Sequence, residues 1–377
     1  MTAAVSWLRA NLFDGVWNGL LTIVTLVVLV LLLRPLAEWV LVDARWSVIP
    51  NTARLLAVGP FPTGEVWRIW TLLLAVVSVT ALSIGMSMGR VPRALTGGAL
   101  VALALAIASR PVLHHESWLF LLAVTASLPA ALWVGAALHR YRRLLTLAWL
   151  LVPLLAASLL MGIPPNLWGG LFLTVVMTVV ALAIAFPLGI ALALARVSSL
   201  PIVRMLSTGF VELMRGVPLV SVLFLAWLMV PLFVPENWRT PQVTRAIIGF
   251  ALFNAAYISE YVRGGLQGIP KGQYEGARAL GLNGFDTMYR VVLPQAIRSV
   301  VPGLVGQAIT AFKNTSLVVI IGLLDLLGIA QSILGNPRFL GLEREVYLFL
   351  MVLFFTLASL MSYVGRRIEE RMGLGSR

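Results

Sequence analysis

The 377-residue chain has no cysteine, three histidines and only two lysines. Without cysteine there is no disulfide framework, no thiolate metal site and no thiol nucleophile. His114 and His115 share one loop and His139 stands apart at the rim of another segment. With no opposed histidines inside an apolar run, neither haem ligation nor any other metal site is expected. Charge is scarce too: 11% of the residues are charged, against about 25% in soluble domains. The chain lacks a G-x-x-x-x-G-K-[ST] phosphate loop, so no nucleotide chemistry of that kind belongs to it and no cofactor is expected in this chain. It also lacks a convincing internal repeat, which counts against carriers built from inverted halves.

What is abundant is apolar sequence: 60% of residues are hydrophobic and the mean hydropathy is +0.95. Runs such as "LLTIVTLVVLVLLL" (20–33) and "LFLTVVMTVVALAIAFPLGIALALA" (171–195) approach or exceed the ~20 residues that cross a bilayer. The fold expected is an all-α polytopic membrane protein, not an enzyme. About ten spans are expected, at 16–33, 66–86, 94–109, 118–138, 144–161, 168–195, 216–234, 245–262, 302–324 and 345–364. The first run ends at Arg34 without a small-residue cleavage pattern and reads as a retained span, not a removed signal peptide.

The net charge of +13 sits in short arginine clusters between apolar runs, which fits membrane orientation and not nucleic-acid binding. With both termini in the cytoplasm, eighteen Lys and Arg fall inside and nine outside, the bias a cytoplasmic face carries. Two prolines and two glycines in "MGIPPNLWGG" (161–170) mark a break. It separates an amino-terminal accessory region, 1–164 with about five spans, from a five-span core, 165–377. Glu212 and Arg215, three residues apart, read as a surface pair.

The largest inside segment is 263–300. Gln273 to Leu280 reads as a short helix rich in small residues, and Gly281 suits the left-handed position that ends one. Asn283 can cap a second helix with Asp286 three residues on, in a capping-box-like arrangement. Phe285, Met288, Tyr289 and Val292 give that helix an apolar face, while Pro294 limits its hydrogen bonding. On these grounds alone the segment is either a partner-docking element or a connecting loop.

Glu275, Gly276 and Ala277, three residues, Gly281, nine residues, Val291, one residue, then Leu293 and Pro294 resemble the EAA motif of permease subunits in binding-protein-dependent ABC importers. Every gap matches; Gly276 replaces an alanine and Val291 an isoleucine. Gly276 costs the first helix up to ~1 kcal/mol relative to alanine. The flanks "VELMRGVPLVSVLFL" (211–225), "YISEYVRGGLQGIPKGQYEGARALG" (257–281) and "FKNTSLVVIIGLLDLLG" (312–328) look like the polar amino acid branch. The extended amino-terminal half is similar to the larger permease of general L-amino acid importers.

The resemblance implies a type I ABC importer permease core on the last five spans, in a bacterial inner membrane. It implies coupling helices in 263–300 that insert into a groove on an ATPase subunit, with Glu275 as the charged contact and Gly281 as the turn. The partners implied are a second permease, expected to be a paralogue, two ATPase subunits carrying ATP and Mg, a periplasmic substrate-binding protein and membrane lipid. The function implied is amino acid import by alternating access.

Lys313 falls at the centre of the expected 302–324 span, roughly 15 Å from either end and too deep for its stem to reach water. Such a charge costs ~2.5–3.5 kcal/mol to insert and needs a partner or a cavity. Gly303, Gly306, Gln307, Thr310, Lys313 and Asn314 recur at three- and four-residue steps, which predicts a small and polar stripe on one face. By resemblance, Lys313, Asn314, Thr315 and Ser316 match family residues near the translocation path, where the ammonium could meet a substrate carboxylate. The bland alternative is pairing with carbonyls or with the partner permease. A rival function, ion-coupled secondary transport, would need carboxylates or histidines at membrane depth, and Lys313 is the one ionisable group read there.

Overall fold

A backbone in hydrocarbon must satisfy its own hydrogen bonds, and the apolar runs do so as helices. The computed structural model describes residues 7, 11–88, 93–108, 115–141, 143–235 and 240–373, with no strand among them. His114 and the side chains of His115 and His139 lie outside the described residues. The amino-terminal helices are α1 (Val16–Glu38), α2 (Val48–Val58), α3 (Val66–Met88), α4 (Arg93–Ala108), α5 (His115–Ala137) and α6 (Arg143–Leu160). After the break come α7 (Gly170–Arg196), α8 (Pro201–Gly216), α9 (Leu219–Phe224), α10 (Val230–Phe233) and α11 (Gln242–Gln267). The chain finishes with α12 (Lys271–Ala279), α13 (Gly284–Asp286), α14 (Leu293–Asn314), α15 (Leu326–Leu334) and α16 (Glu343–Arg371).

Every expected span falls on helix, but not every helix is equally suited to cross a membrane. Six are long and apolar enough: Val16–Asp43, Thr63–Ser87, Trp118–Ala137, Gly170–Arg196, Gly284–Ile321 and Glu343–Glu370. A seventh would be the pair Pro201–Gly216 and Leu219–Phe233, bent by 108° where Pro218 stops one helix and opens the next. Leu95–Ile107 and Leu145–Leu160 are shorter, and α11 is long but carries Arg245, Glu260 and Arg263. By length and apolarity the structure supports six or seven crossings, against the ten expected.

Residues 34–65, between the first two expected spans, contain a helix. In α2, Val48, Thr52 and Leu56 recur every fourth residue and are buried. Val48 and Leu56 pack with Leu326 and Ile329 of α15 and Val346 and Leu350 of α16. By contrast, no residue of α1 is buried.

The centre of the core is the contact of α7 with α11, where Leu173, Met177 and Ala181 meet Phe250 and Ala251. Toward the α12 end, Ala185, Ala193, Ala255, Ile258, Val262 and Ala296 form a second cluster. Small residues let these backbones approach. A Cβ on Gly265 would lie 2.6 Å from the Ala296 carbonyl oxygen, so α11 and α14 can touch there only through glycine.

Candidate docking loop and translocation face

The polar loop folds by its own local chemistry. Helix α12 ends in a paired-bond turn: the Leu282 N–H donates to the Ala277 carbonyl at 3.1 Å and the Gly281 N–H to that of Arg278 at 2.9 Å. Gly281 takes φ +78°, the left-handed conformation such a turn requires. Asn283 Oδ1 then accepts from the Asp286 N–H at 2.8 Å, capping the next helix. The return bond differs from a full capping box: Asn283 Nδ2 donates to Asp286 Oδ2 at 2.9 Å, because Asp is one methylene too short to reach back comfortably to the cap's backbone.

The second helix is not a separate piece. Beyond α13 the chain runs through a π-turn, Thr287–Val292, directly into α14. Pro294 explains the π-turn: it has no N–H, and its ring would collide with the Arg290 carbonyl in α-geometry. Gln295 Nε2 donates to Gln273 Oε1 at 3.0 Å, tying α12 to α14. Ala277 and Leu293 are buried, whereas Glu275, Gly276, Gly281 and Pro294 lie at the surface. The expected apolar face splits. Val292 is fully buried and Met288 half-buried, while Phe285 and Tyr289 are 75% and 63% exposed with rings stacked 5.7 Å apart; Leu280, outside that face, is 83% exposed. The loop thus presents an apolar and charged surface, with Lys271, Glu275, Arg278 and Arg290 exposed beside Leu280, Phe285 and Tyr289.

The expected polar stripe on α14 also divides. Gly306, Thr310 and Lys313 share an open face, and nothing stands within 4 Å of a Cβ placed on Gly306. Gly303 instead faces the Tyr261 ring. Gln307 is buried and donates from Nε2 to Asn254 Oδ1 at 2.9 Å, while Asn254 donates to the Phe250 carbonyl at 2.8 Å. Asn254, unremarked in the sequence, is therefore the polar anchor between α11 and α14. A polar residue amid "ALFNAAYI" (251–258) is the signal that could have found it.

Lys313 sits in the last turn of α14, exposed on this chain and without an ion-pair partner among the described residues. The backbone then tightens to a 3₁₀ stretch, Thr315–Ile321, so Lys313 sits at a helix C-terminus, where a cation is favoured. The Thr310, Thr315 and Ser316 hydroxyls donate to the Gly306, Phe312 and Lys313 carbonyls at 3.0, 2.7 and 2.9 Å. Thr315 is fully buried and Asn314 half-buried.

Two further acidic residues matter. Glu260 lies two residues from the inner end of the expected 245–262 span. It is neutralised by Arg196 at 2.6 Å, Arg215 at 3.1 Å and Arg263. Arg215 thus turns away from Glu212, its expected partner. At the other end of α7, Asp325 caps α15, its Oδ1 accepting from the Gly328 N–H at 2.9 Å. Beside it the Leu326 N–H donates to Thr174 Oγ1 at 3.2 Å, and Asp325 Oδ2 is buried without a partner. Asp325 lies between the last two spans, and burial pushes its carboxyl up to about 6.

The chain is similar in sequence to known membrane transport proteins along its whole length. Residues 185–373 match the model of the binding-protein-dependent transport system inner membrane component family. The inner membrane amino-acid ABC transporter permease protein YhdY of Escherichia coli (strain K12) is 35% identical, over 99% of this chain and 94% of that protein. The glutamate/glutamine/aspartate/asparagine transport system permease protein BztC of Rhodobacter capsulatus is 32% identical, over 98% and 94% respectively. A solved structure described as an amino acid ABC transporter with histidines covers 54% of this chain and 92% of its own, at 29% identity and a TM-score of 0.49. With full-length relatives of this kind and a matching family model over its carboxy-terminal half, the chain belongs to the binding-protein-dependent transport system inner membrane components.

Proposed function

We propose that this chain is the permease subunit of an ATP-driven ABC importer that moves amino acids across a bacterial inner membrane by alternating access. Its 165–377 portion is the permease core, and 1–164 is an accessory region. Both termini and the α12–α13 loop face the cytoplasm in this reading, which the arginine bias supports. A second permease, expected to be a paralogue, completes the path; two ATPase subunits hold ATP and Mg; a periplasmic binding protein delivers solute. The loop, through Glu275, Gly276, Ala277, Gly281, Leu293 and Pro294, is the ATPase dock. The open α14 face, with Thr310 and Lys313 flanked by Asn314 and Ser316, lines the path, while Gln307 and Thr315 hold its shape from behind.

One observation carries this reading. The exposed loop surface is continuous with α14 through the π-turn and is tied to it by Gln273 and Gln295. A displacement of the loop therefore moves the helix that bears Lys313, and binding energy at one site can shift the populations of two states at the other. Reconstitution tests it. Vesicles holding both permeases and the ATPases should take up amino acid only with ATP and binding protein present. Uptake by the purified chain alone, driven by an ion gradient, would contradict it.

A further inference from the structure

Among the described residues, the ion pairs Arg34–Glu38, Arg68–Glu65, Arg290–Asp286 and Arg367–Glu370 are local, three or four positions apart. Glu260 is different in kind. Its carboxylate accepts hydrogen bonds from Arg196, the last residue of α7, and from Arg263 on its own helix, and forms an ion pair at 3.1 Å with Arg215, the penultimate residue of α8. Three helices end on one side chain. The Arg196 side chain is only 9% exposed, and the Arg215 guanidinium also lies 5.8 Å from the Tyr257 ring.

The position of this tie is what gives it a use. Helix α11 runs from Glu260 to Gln267 and enters the docking helix α12 at Lys271. Ile269, in the connection, packs on the cluster that contains Ala193 of α7 and Val262 of α11. Helix α8 leads from Arg215 through the 108° bend into α9. A push on the loop thus reaches Glu260 before it reaches the centre of the membrane. Removal of the carboxylate does more than untie the helices: it leaves three guanidiniums facing one another in a partly desolvated site, where like charges repel strongly.

We propose that Glu260 is a positioning residue for energy coupling, whose carboxylate makes the loop ends of α7, α8 and α11 move as one body when the docking loop is displaced. The proposal rests on reading that loop as the ATPase dock. Without the tie, ATP is still hydrolysed, but the loop's motion is absorbed by bending α11 alone.

The test measures ATP hydrolysis and solute uptake in the same vesicles, using the whole complex with its binding protein. Glu260→Gln is expected to assemble and hydrolyse ATP while uptake per ATP falls by about tenfold, within the range of a coupling free energy between sites. Arg215→Gln, which removes the most exposed arm, lowers the ratio less. A wild-type ratio in Glu260→Gln overturns the proposal; should that variant fail to assemble, a wild-type ratio in Arg215→Gln overturns it. Absence of ATP-dependent uptake in the wild-type complex would instead overturn the docking-loop reading, and so separates the two failures.

Discussion

Asp325 offers a quantitative test of how the segment after the Lys313 helix is built. Asp325 is fully buried, its backbone bridging that of Gly170, with one carboxyl oxygen accepting from the Gly328 N–H to cap α15 and the other without a partner. Desolvation raises its pKa from 3.8 to about 6, with the Gly328 and Leu327 N–H groups opposing the rise. A carboxyl whose folded value is raised binds its proton more tightly when folded. Its contribution to stability is therefore complete below 3.8 and is lost as the pH climbs through 6. At about 1.4 kcal/mol for each tenfold difference, the loss approaches 3 kcal/mol by pH 8, an order-of-magnitude figure. Asn at the same position caps a helix as well as Asp does and does not ionise. Asp325→Asn should therefore match the wild type near pH 4 and unfold at a temperature several degrees higher at pH 8, measured by thermal unfolding of the purified protein in detergent. Equal pH profiles for the two proteins, or a variant less stable at pH 8, would refute the argument.

Lys313→Ala should abolish uptake while insertion and complex assembly are retained; normal uptake kinetics would remove Lys313 from the path. Asn254→Leu strands the buried Gln307 amide and should destabilise the protein by about 1–3 kcal/mol. Replacing both with leucine should recover most of that loss, and a double-mutant cycle with no coupling would contradict the contact. Gly265→Ala forces a methyl onto the Ala296 carbonyl and should cost about 1–3 kcal/mol as overpacking, read as a lower unfolding temperature; an unchanged one would mean the helices part freely there.

Some of this was legible because the chemistry is local. Gly281, Asn283 and Asp286 act within a few residues of themselves, so their spacing reveals the turn and the cap directly. Lys313 was legible as an anomaly. Glu260 was not, because its partners lie far along the chain, as Arg196 does at 64 positions, and the near neighbour Glu212 offered Arg215 a plausible local partner. The α14 stripe misled for a different reason: small and polar residues serve helix packing in membranes as well as water-lined paths. Periodicity groups Gln307 with Lys313, yet Gln307 turns toward Asn254. Helix α2 escapes the periodicity because it buries only four residues, Val48, Thr52, Leu56 and Val58, and lies between longer apolar runs.

In the proposed cycle the α12–α13 loop receives mechanical work from an ATP-hydrolysing partner. The absence of native cysteine makes a clean probe possible: Leu280→Cys, at an exposed position beside Gly281, with a cysteine-specific cross-linker in the assembled complex. A single product is expected, joining this chain to the ATPase subunit, with a yield that changes between ATP-bound and nucleotide-free states. A loop that cross-links to no ATPase in a complex that still transports would contradict it.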